Sequence, residues 1–395
     1  MNRYDPNEGA WERHGVPSAS NSGLNVAVAV QALEILGGKE RDALAIAGGL
    51  AARGHCVTIL TRSARLDAPK DVTVRSIAAG GWSNHVRARR FAEAVAALRG
   101  QFDALLTFDR IADADAYYAA DVCFAPRARG LHALMPRYAT YARLEAACFA
   151  SGGPDILFLC RKQEREYRRY YDLDAGRISI LPPMLHPSAG KDFYEARATV
   201  RKRFDIPESS PLAVSVAVYP EQKGVDRTIA ALQHIPDLHL LAVGLKDTAT
   251  MHALARQHDV ASRTRLYGYT HEVADILGSA DLMLHPARVE NTGLVIVESL
   301  MAGTPVIASA ACGFAEYIER FDAGAVVAEP FDAQQFLAAI RTAIDPPRLA
   351  ELKRHARDSA PLLNAEGGLE RILDAIEQVL ARRIADAAAR RRSDR

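Results

Sequence analysis

Asp281-Leu-Met-Leu-His285-Pro-Ala-Arg-Val-Glu290-Asn-Thr-Gly-Leu-Val-Ile-Val-Glu298-Ser-Leu-Met-Ala-Gly303-Thr-Pro305-Val-Ile-Ala308 decides the fold. The apolar run Leu282–His285 does not alternate with polar residues, which marks a strand buried on both faces. A loop follows, and Gly293 opens a helix expected to run to about Met301. Gly303-Thr304-Pro305 stops that helix and starts the next strand. Strand, helix and strand in this order give a parallel sheet covered by helices.

The same alternation extends in both directions. Upstream runs are Leu24–Val30, Val57–Leu60, Val72–Ile77, Ala104–Phe108, Ile156–Cys160 and Ile178–Leu181. After Leu181-Pro182-Pro183 come Leu212–Val218, Leu238–Val243, Arg265–Tyr267, Leu282–His285, Pro305–Ala308 and Ala325–Ala328. Two consecutive prolines fix extended backbone and remove two donors, which suits a hinge. The expectation is α/β class: two doubly wound domains facing a cleft at the carboxyl ends of their strands. Residues 23–183 form the first, 184–362 the second, and 363–395 a C-terminal helix (Leu369, Ile372, Leu373, Ile376, Leu380) with a basic tail. Residues 1–22 are polar and aperiodic, and are read as a mobile extension.

Composition narrows the classes. Of 395 residues, 49% are hydrophobic and 25% charged, which excludes disorder and collagen-like architecture for the body of the chain. With 49 Lys and Arg against 48 Asp and Glu, the net charge of +1 gives no global field for nucleic acid. The cysteines Cys56, Cys123, Cys148, Cys160 and Cys312 form no CxxC pair, so no zinc knuckle or dithiol is expected, and a reducing compartment fits best. No run is long enough to span a membrane, and the N-terminus lacks the apolar core of a signal peptide.

The chemistry gathers at strand ends. Glu290 lies in the loop after its strand and Glu298 falls inside the following helix. The N–H groups around Asn291, Thr292, Gly293 and Leu294 and the helix dipole make an anion site, with a carboxylate on either side to accept from sugar hydroxyls. A sugar linked to a diphosphate fits; an ordinary surface loop followed by a solvated glutamate fits the same residues. Lys223, after the run Leu212–Val218, sits at another strand's carboxyl end, where an ammonium can stabilise a departing diphosphate or simply be solvated. In the first half, Gly37-Gly38 precede a helix and would let backbone N–H groups approach a phosphate. This is not GxGxxG, and Leu60-Thr61-Arg62 puts no acid at the end of the second strand, which disfavours a dinucleotide.

These stretches resemble the retaining glycosyltransferases of the GT-B fold that carry E-x7-E, glycosyltransferase family 4. The likeness narrows to the lipopolysaccharide core glucosyltransferase I group. It rests on Gly37-Gly-Lys-Glu-Arg-Asp42, Tyr117-Tyr-Ala-Ala-Asp121-Val-Cys123, Ile180-Leu-Pro-Pro183, Lys223-Gly-Val-Asp226-Arg227, Leu284-His-Pro286, Glu290 to Glu298, and Cys312-Gly-Phe-Ala-Glu-Tyr-Ile318. The resemblance implies a nucleotide sugar, expected to be UDP-glucose or a related UDP-hexose, and a lipopolysaccharide inner-core heptose as acceptor. It implies that Glu290 and the backbone after it hold the donor hexose, that Glu298 holds the ribose, and that Lys223 and the Gly38 N–H cradle the diphosphate. Asp42 and Asp121 would line the sugar and acceptor side. Family members usually carry an arginine five residues before the lysine or directly before it; here those positions are Val218 and Gln222.

Lys223 and helix N-termini can meet the leaving charge without a metal, and no metal-ligand spacing appears. The expected reaction retains configuration. The segment from Phe124 to Arg143 carries Arg127, Arg129, Arg137 and Arg143 with Tyr138 and Tyr141 between, and no acid. It suits a membrane interface, as the related family uses this region on the cytoplasmic face, and equally suits packing of its apolar side on the core. Arg382, Arg383 and Arg390–Arg392 could add attraction to anionic lipid. His285 reads as a strand-end packing residue, His186 has no assigned role, and Cys123 and Cys312 read as small buried apolar residues. Two alternatives stay open: an epimerase or hydrolase on this scaffold, which would consume the donor without an acceptor, and a two-lobed binding protein without turnover.

Overall fold

The computed structural model describes residues 23–34, 37–185 and 193–393. The extension expected at 1–22 and His186 lie outside them. The chain divides into two compact units, Met1–Met184 with Gly368–Arg395, and Leu185–Gly367.

The first unit runs β1 (Asn25–Ala29), α1 (Gly38–Ala52), β2 (Cys56–Thr61), β3 (Val72–Ser76), α2 (Asn84–Ala97), β4 (Ala104–Thr107), β5 (Ala116–Tyr118), α3 (Pro136–Phe149), β6 (Asp155–Phe158), α4 (Arg161–Tyr167) and β7 (Ile178–Ile180). All seven strands pair in parallel, in the order β3-β2-β1-β4-β5-β6-β7. Val26–Ala29 in β1 and all of β4 are fully buried, because helices cover both faces. Two readings need correction. Among the described residues the unit's main sheet has seven strands against six apolar runs, since β5 has no branched aliphatic residue and lies between Asp115 and Asp121. Not every run is buried on both faces: β3 is an edge strand and Thr73–Ser76 are exposed.

The second unit runs α5 (Phe193–Arg203), β8 (Leu212–Val216), α6 (Val225–Leu232), β9 (His239–Val243), α7 (Ala249–Gln257), β10 (Thr264–Leu266), α8 (Val273–Ser279), β11 (Leu282–His285), α9 (Leu294–Met301), β12 (Val306–Ser309), α10 (Ala315–Arg320), β13 (Gly324–Val327), α11 (Ala333–Ile344) and α12 (Pro346–Glu366). Its six parallel strands take the order β10-β9-β8-β11-β12-β13. In each unit the order reverses beside the first strand, between β1 and β4 and between β8 and β11. There the following loops part in opposite directions and open a crevice at the carboxyl ends.

α13 (Leu369–Ser393) returns the chain to the first unit. It buries Ile372, Leu373, Ile376 and Leu380 in the same core as Leu44 and Leu50 of α1. Gly49 permits this approach, since a Cβ there would lie 2.5 Å from Leu373 Cδ1. Arg53 pairs with Asp374 at 2.8 Å and Glu377 at 2.9 Å. Arg382 and Arg383 reach the single carboxylate of Asp155 at 2.6 and 3.8 Å, which ties this part of α13 to β6. The sequence pattern put a break after residue 362, but α12 continues to Glu366 and the turn falls at Gly367-Gly368, where Gly368 has φ +100°.

Candidate active site

In the second unit, the site forms at the reversal between β8 and β11. After β8, Lys223 N donates to Tyr219 O at 3.0 Å and Val225 N to Pro220 O at 2.9 Å, a tight turn into α6. Gly224 holds that turn at φ +77°, and a Cβ there would lie 2.0 Å from Pro286 O. Only glycine fits both constraints, and the turn aims Lys223 toward the loop after β11. Its Nζ donates to Glu290 Oε2 at 2.6 Å, and His285 Nε2 lies 3.1 Å from the same oxygen. Asn291 N donates to Glu290 Oε1 at 3.1 Å. That amide was expected to face a ligand and is instead spent on the carboxylate.

Burial alone would raise the Glu290 pKa, but the hydrogen bond from His285 and the Lys223 charge outweigh it and bring it to about 2. Burial pushes the His285 pKa down, yet hydrogen bonds with Cys312 and Glu290 lift it to about 9. Glu290 and His285 are therefore both charged at neutral pH. Gly293, at φ +81°, caps α9, whose span Leu294–Met301 matches the expected helix. Phe314 N donates to Thr292 O at 2.7 Å, which pins this loop to the start of α10. Glu298 is half-buried on α9. Val218 is exposed and Gln222 precedes the lysine, so neither supplies a cation.

In the first unit, Gly37 precedes α1 in extended conformation, and a Cβ on Gly38 would meet nothing within 4 Å, so its backbone stands open to close approach. Asp42, one turn into α1, accepts from Tyr118 OH at 2.9 Å, while its Oδ1 is buried without a hydrogen bond. Burial raises its pKa to about 6, against the pull of Arg41 and Tyr118. A cavity of ≈190 Å³ lies at the reversal beside β4, lined by Gln31, Lys39, Asp109, Arg110, Asp121 and Tyr141 among others. Lys39 Nζ donates to Asp109 Oδ1 at 3.0 Å, and Asp109 Oδ2 accepts from Gln31 N at 2.6 Å. Arg110 Nη1 donates to Asp121 Oδ2 at 3.1 Å. Burial opposes ionisation of Asp121, but the Lys39 and Arg110 charges hold its carboxyl below the usual range.

Behind this cavity, Glu145 is fully buried and holds Arg110 at 3.0 Å. It also accepts from Phe124 N at 2.8 Å, Ala125 N at 2.9 Å and Tyr171 OH at 2.9 Å. Glu145 thus anchors the start of the arginine-bearing segment. That segment folds as short turns at Ala125–Arg127 and Gly130–Leu134, and Pro136 begins α3 as expected. Leu131 and Leu134 are 84% and 80% exposed, so the apolar side does not pack on the core. Arg127, Arg129, Arg137 and Arg143 are exposed and Tyr138 and Tyr141 half-buried.

Sequence reading placed Lys223 and Glu290 at strand ends without pairing them, and gave His285 only a packing role. The available signal was a histidine ending an otherwise apolar strand five residues before the glutamate. Glu145, Lys39 and Asp109 gave no comparable signal, because their partners lie far away in the chain. Cys123, Cys148, Cys160 and Cys312 are buried and Cys56 is exposed; all five are free thiols. Among the described residues, no group of three or more His, Cys, Asp or Glu side chains is placed to hold a metal ion. Among them too, no helix is long and apolar enough to cross a membrane.

The family model for glycosyl transferases group 1 matches residues 196–360, inside the second unit. Lipopolysaccharide glucosyltransferase WaaG of Escherichia coli strain K12 is 34% identical over 347 residues, covering 82% of this chain and 92% of that protein. A crystal structure of WaaG, a glycosyltransferase involved in lipopolysaccharide biosynthesis, superposes with a TM-score of 0.80 at 31% identity, covering 89% of this chain and 99% of that one. Anabaena HepE in complex with UDP-glucose superposes with a TM-score of 0.71 at 14% identity over 91% of this chain and 99% of that one, a likeness of fold alone. The two reversing parallel sheets are the GT-B architecture, and the chain is a glycosyltransferase belonging to group 1 of that enzyme class.

Proposed function

We propose that the protein takes a hexose from a UDP-sugar, UDP-glucose or a related UDP-hexose, and adds it with retention to a heptose of the lipopolysaccharide inner core. The observation that carries this reading is the contact of Lys223 with Glu290 at 2.6 Å, made from the ends of the adjacent strands β8 and β11. The extent of the likeness to the E. coli lipopolysaccharide glucosyltransferase supports the choice of acceptor.

Breaking the anomeric C–O bond leaves positive charge on the sugar and negative charge on the diphosphate. Lys223 meets the negative charge, aided by the N-terminus of α9. Glu290 accepts from hexose hydroxyls and Glu298 from the ribose. The acceptor hydroxyl attacks C1 from the face the diphosphate leaves, and its proton passes to the departing phosphate oxygen. Gly37 and Gly38 are assigned to phosphate, and Asp42 and Asp121 to the acceptor side. No metal is required, so chelation should leave the rate unchanged.

We further propose that the protein works on the cytoplasmic face of the inner membrane. Leu131 and Leu134 beside Arg127, Arg129, Arg137 and Arg143 support this, because apolar side chains next to cations suit an interface with anionic lipid. NMR of the anomeric centre in the product tests the reaction. Retention supports it, and an inverted linkage refutes it.

A further inference from the structure

We propose that His285 is a positioning residue: as an imidazolium it neutralises Glu290, and so leaves the Lys223 ammonium uncompensated for the donor's diphosphate. The inference rests on the donor reading above. A lysine bound to a glutamate makes a pair of zero net charge, a weak attractor for a doubly charged leaving group. Here one carboxylate oxygen receives two cations, Lys223 at 2.6 Å and His285 at 3.1 Å, so the three groups together carry one positive charge.

The need for such a device is visible nearby. Val218, five residues before Lys223, and Gln222, directly before it, carry no charge. Arg288 is committed to Asp226 at 2.8 and 2.6 Å and to Glu221 O at 2.6 Å. Arg227 donates to Pro286 O at 3.0 Å and lies 3.9 Å over the Phe331 ring. Neither guanidinium is spare.

The fold fixes the imidazole. His285 ends β11, is 2% exposed, and pairs in register with Ala308 of β12. The titratable groups facing it are Glu290 from the loop before α9 and Cys312 from the turn before α10. Lys223, from the loop after β8, approaches through the shared oxygen. The raised His285 pKa of about 9 agrees with this arrangement. The histidine touches no substrate in this account; it sets the charge and direction of groups that do.

The test is calorimetric titration of the full chain with UDP from about pH 6 to 10, for wild type, His285→Gln and His285→Asn, with UDP-hexose kinetics beside it. Wild-type affinity should hold through pH 8 and fall as pH passes about 9, where the imidazolium is lost. The variants keep a hydrogen-bonding amide without the charge. They should bind UDP roughly tenfold more weakly at neutral pH, show KM raised more than kcat is lowered, and lose the fall near pH 9. Variants that bind as wild type does, or that keep the alkaline fall, overturn the inference. Should neither variant fold, the wild-type profile decides alone, because affinity unchanged to about pH 10 is incompatible with the proposal. Wild type that binds no UDP at any pH defeats the donor reading itself, whereas tight binding without pH dependence defeats only the role of His285.

Discussion

Replacing Lys223 with methionine removes one charge while keeping an unbranched side chain of similar length. Lys223 is about one-fifth exposed, so its field is partly screened. At an effective dielectric of about 20, a unit charge ~4 Å from a departing phosphate oxygen interacts by about 4 kcal/mol. Part of that is already present with the bound donor, and only the growth in negative charge at the transition state lowers the barrier. The expected loss is roughly 10²-fold in kcat, comparable to removal of one donor from an oxyanion site. KM for the donor should rise less than kcat falls. Stability should change little, because Glu290 keeps His285 at 3.1 Å and the Asn291 amide at 3.1 Å. The assay is steady-state release of UDP with saturating acceptor, with a melting curve as control. A folded Lys223→Met enzyme whose kcat stays within about threefold of wild type would falsify the assignment of leaving-group stabilisation to this side chain.

Asp42 offers a prediction of opposite sign for stability and activity. Its pKa of about 6 in the fold lies above the ordinary carboxyl value of 3.8. The folded state therefore holds the proton more tightly, and stability declines as pH rises from about 3.8 through 6. Above that window the buried charge costs ~1–3 kcal/mol, so Asp42→Asn should raise the melting temperature of the first unit at pH 7.5 while lowering transfer activity. An unchanged or lower melting temperature contradicts the burial argument. Glu145→Gln leaves Arg110 short of a charge partner and weakens the anchoring of Phe124 and Ala125, so a loss of ~2–4 kcal/mol is expected, read as a lowered melting temperature. Vesicle flotation should recover wild type with anionic lipid at low salt, and Leu131→Asp with Leu134→Asp should abolish it. Recovery of the double variant at wild-type levels refutes the assigned interface.

All six strands of the second unit were readable: β8, β9, β11 and β12 as largely buried apolar runs, and the partly buried edge strands β10 and β13 from their place in the strand–helix alternation. The apolar-run criterion missed β5, where Ala116–Tyr118 has no branched aliphatic residue and lies between Asp115 and Asp121, and it does not describe β3, an edge strand of sequence Val-Thr-Val-Arg-Ser whose Thr73–Ser76 are exposed. The loop–helix boundary at Gly293 was legible because punctuation by glycine is local. The arrangement of charges was not, since it depends on partners distant in sequence. Lys223 and Glu290 are 67 residues apart, and Lys39 and Asp109 are 70 apart. Residue type and strand-end position could nominate Lys223 and Glu290, but only the reversal between β8 and β11 brings Lys223, with His285, to one oxygen of Glu290. The role of Glu145 was likewise hidden, because a glutamate in an arginine-bearing helix reads as a surface residue until its donors are known.

The central claim is transfer of a single hexose to a heptose-terminated core, and mass spectrometry of the acceptor measures it directly. Incubation with purified inner-core lipopolysaccharide and a panel of UDP-hexoses should add one hexose from at least one donor, with UDP released in equal amount, and Glu290→Ala should abolish the product. Release of UDP with the acceptor's mass unchanged, or no turnover of any donor on the panel, would contradict the account.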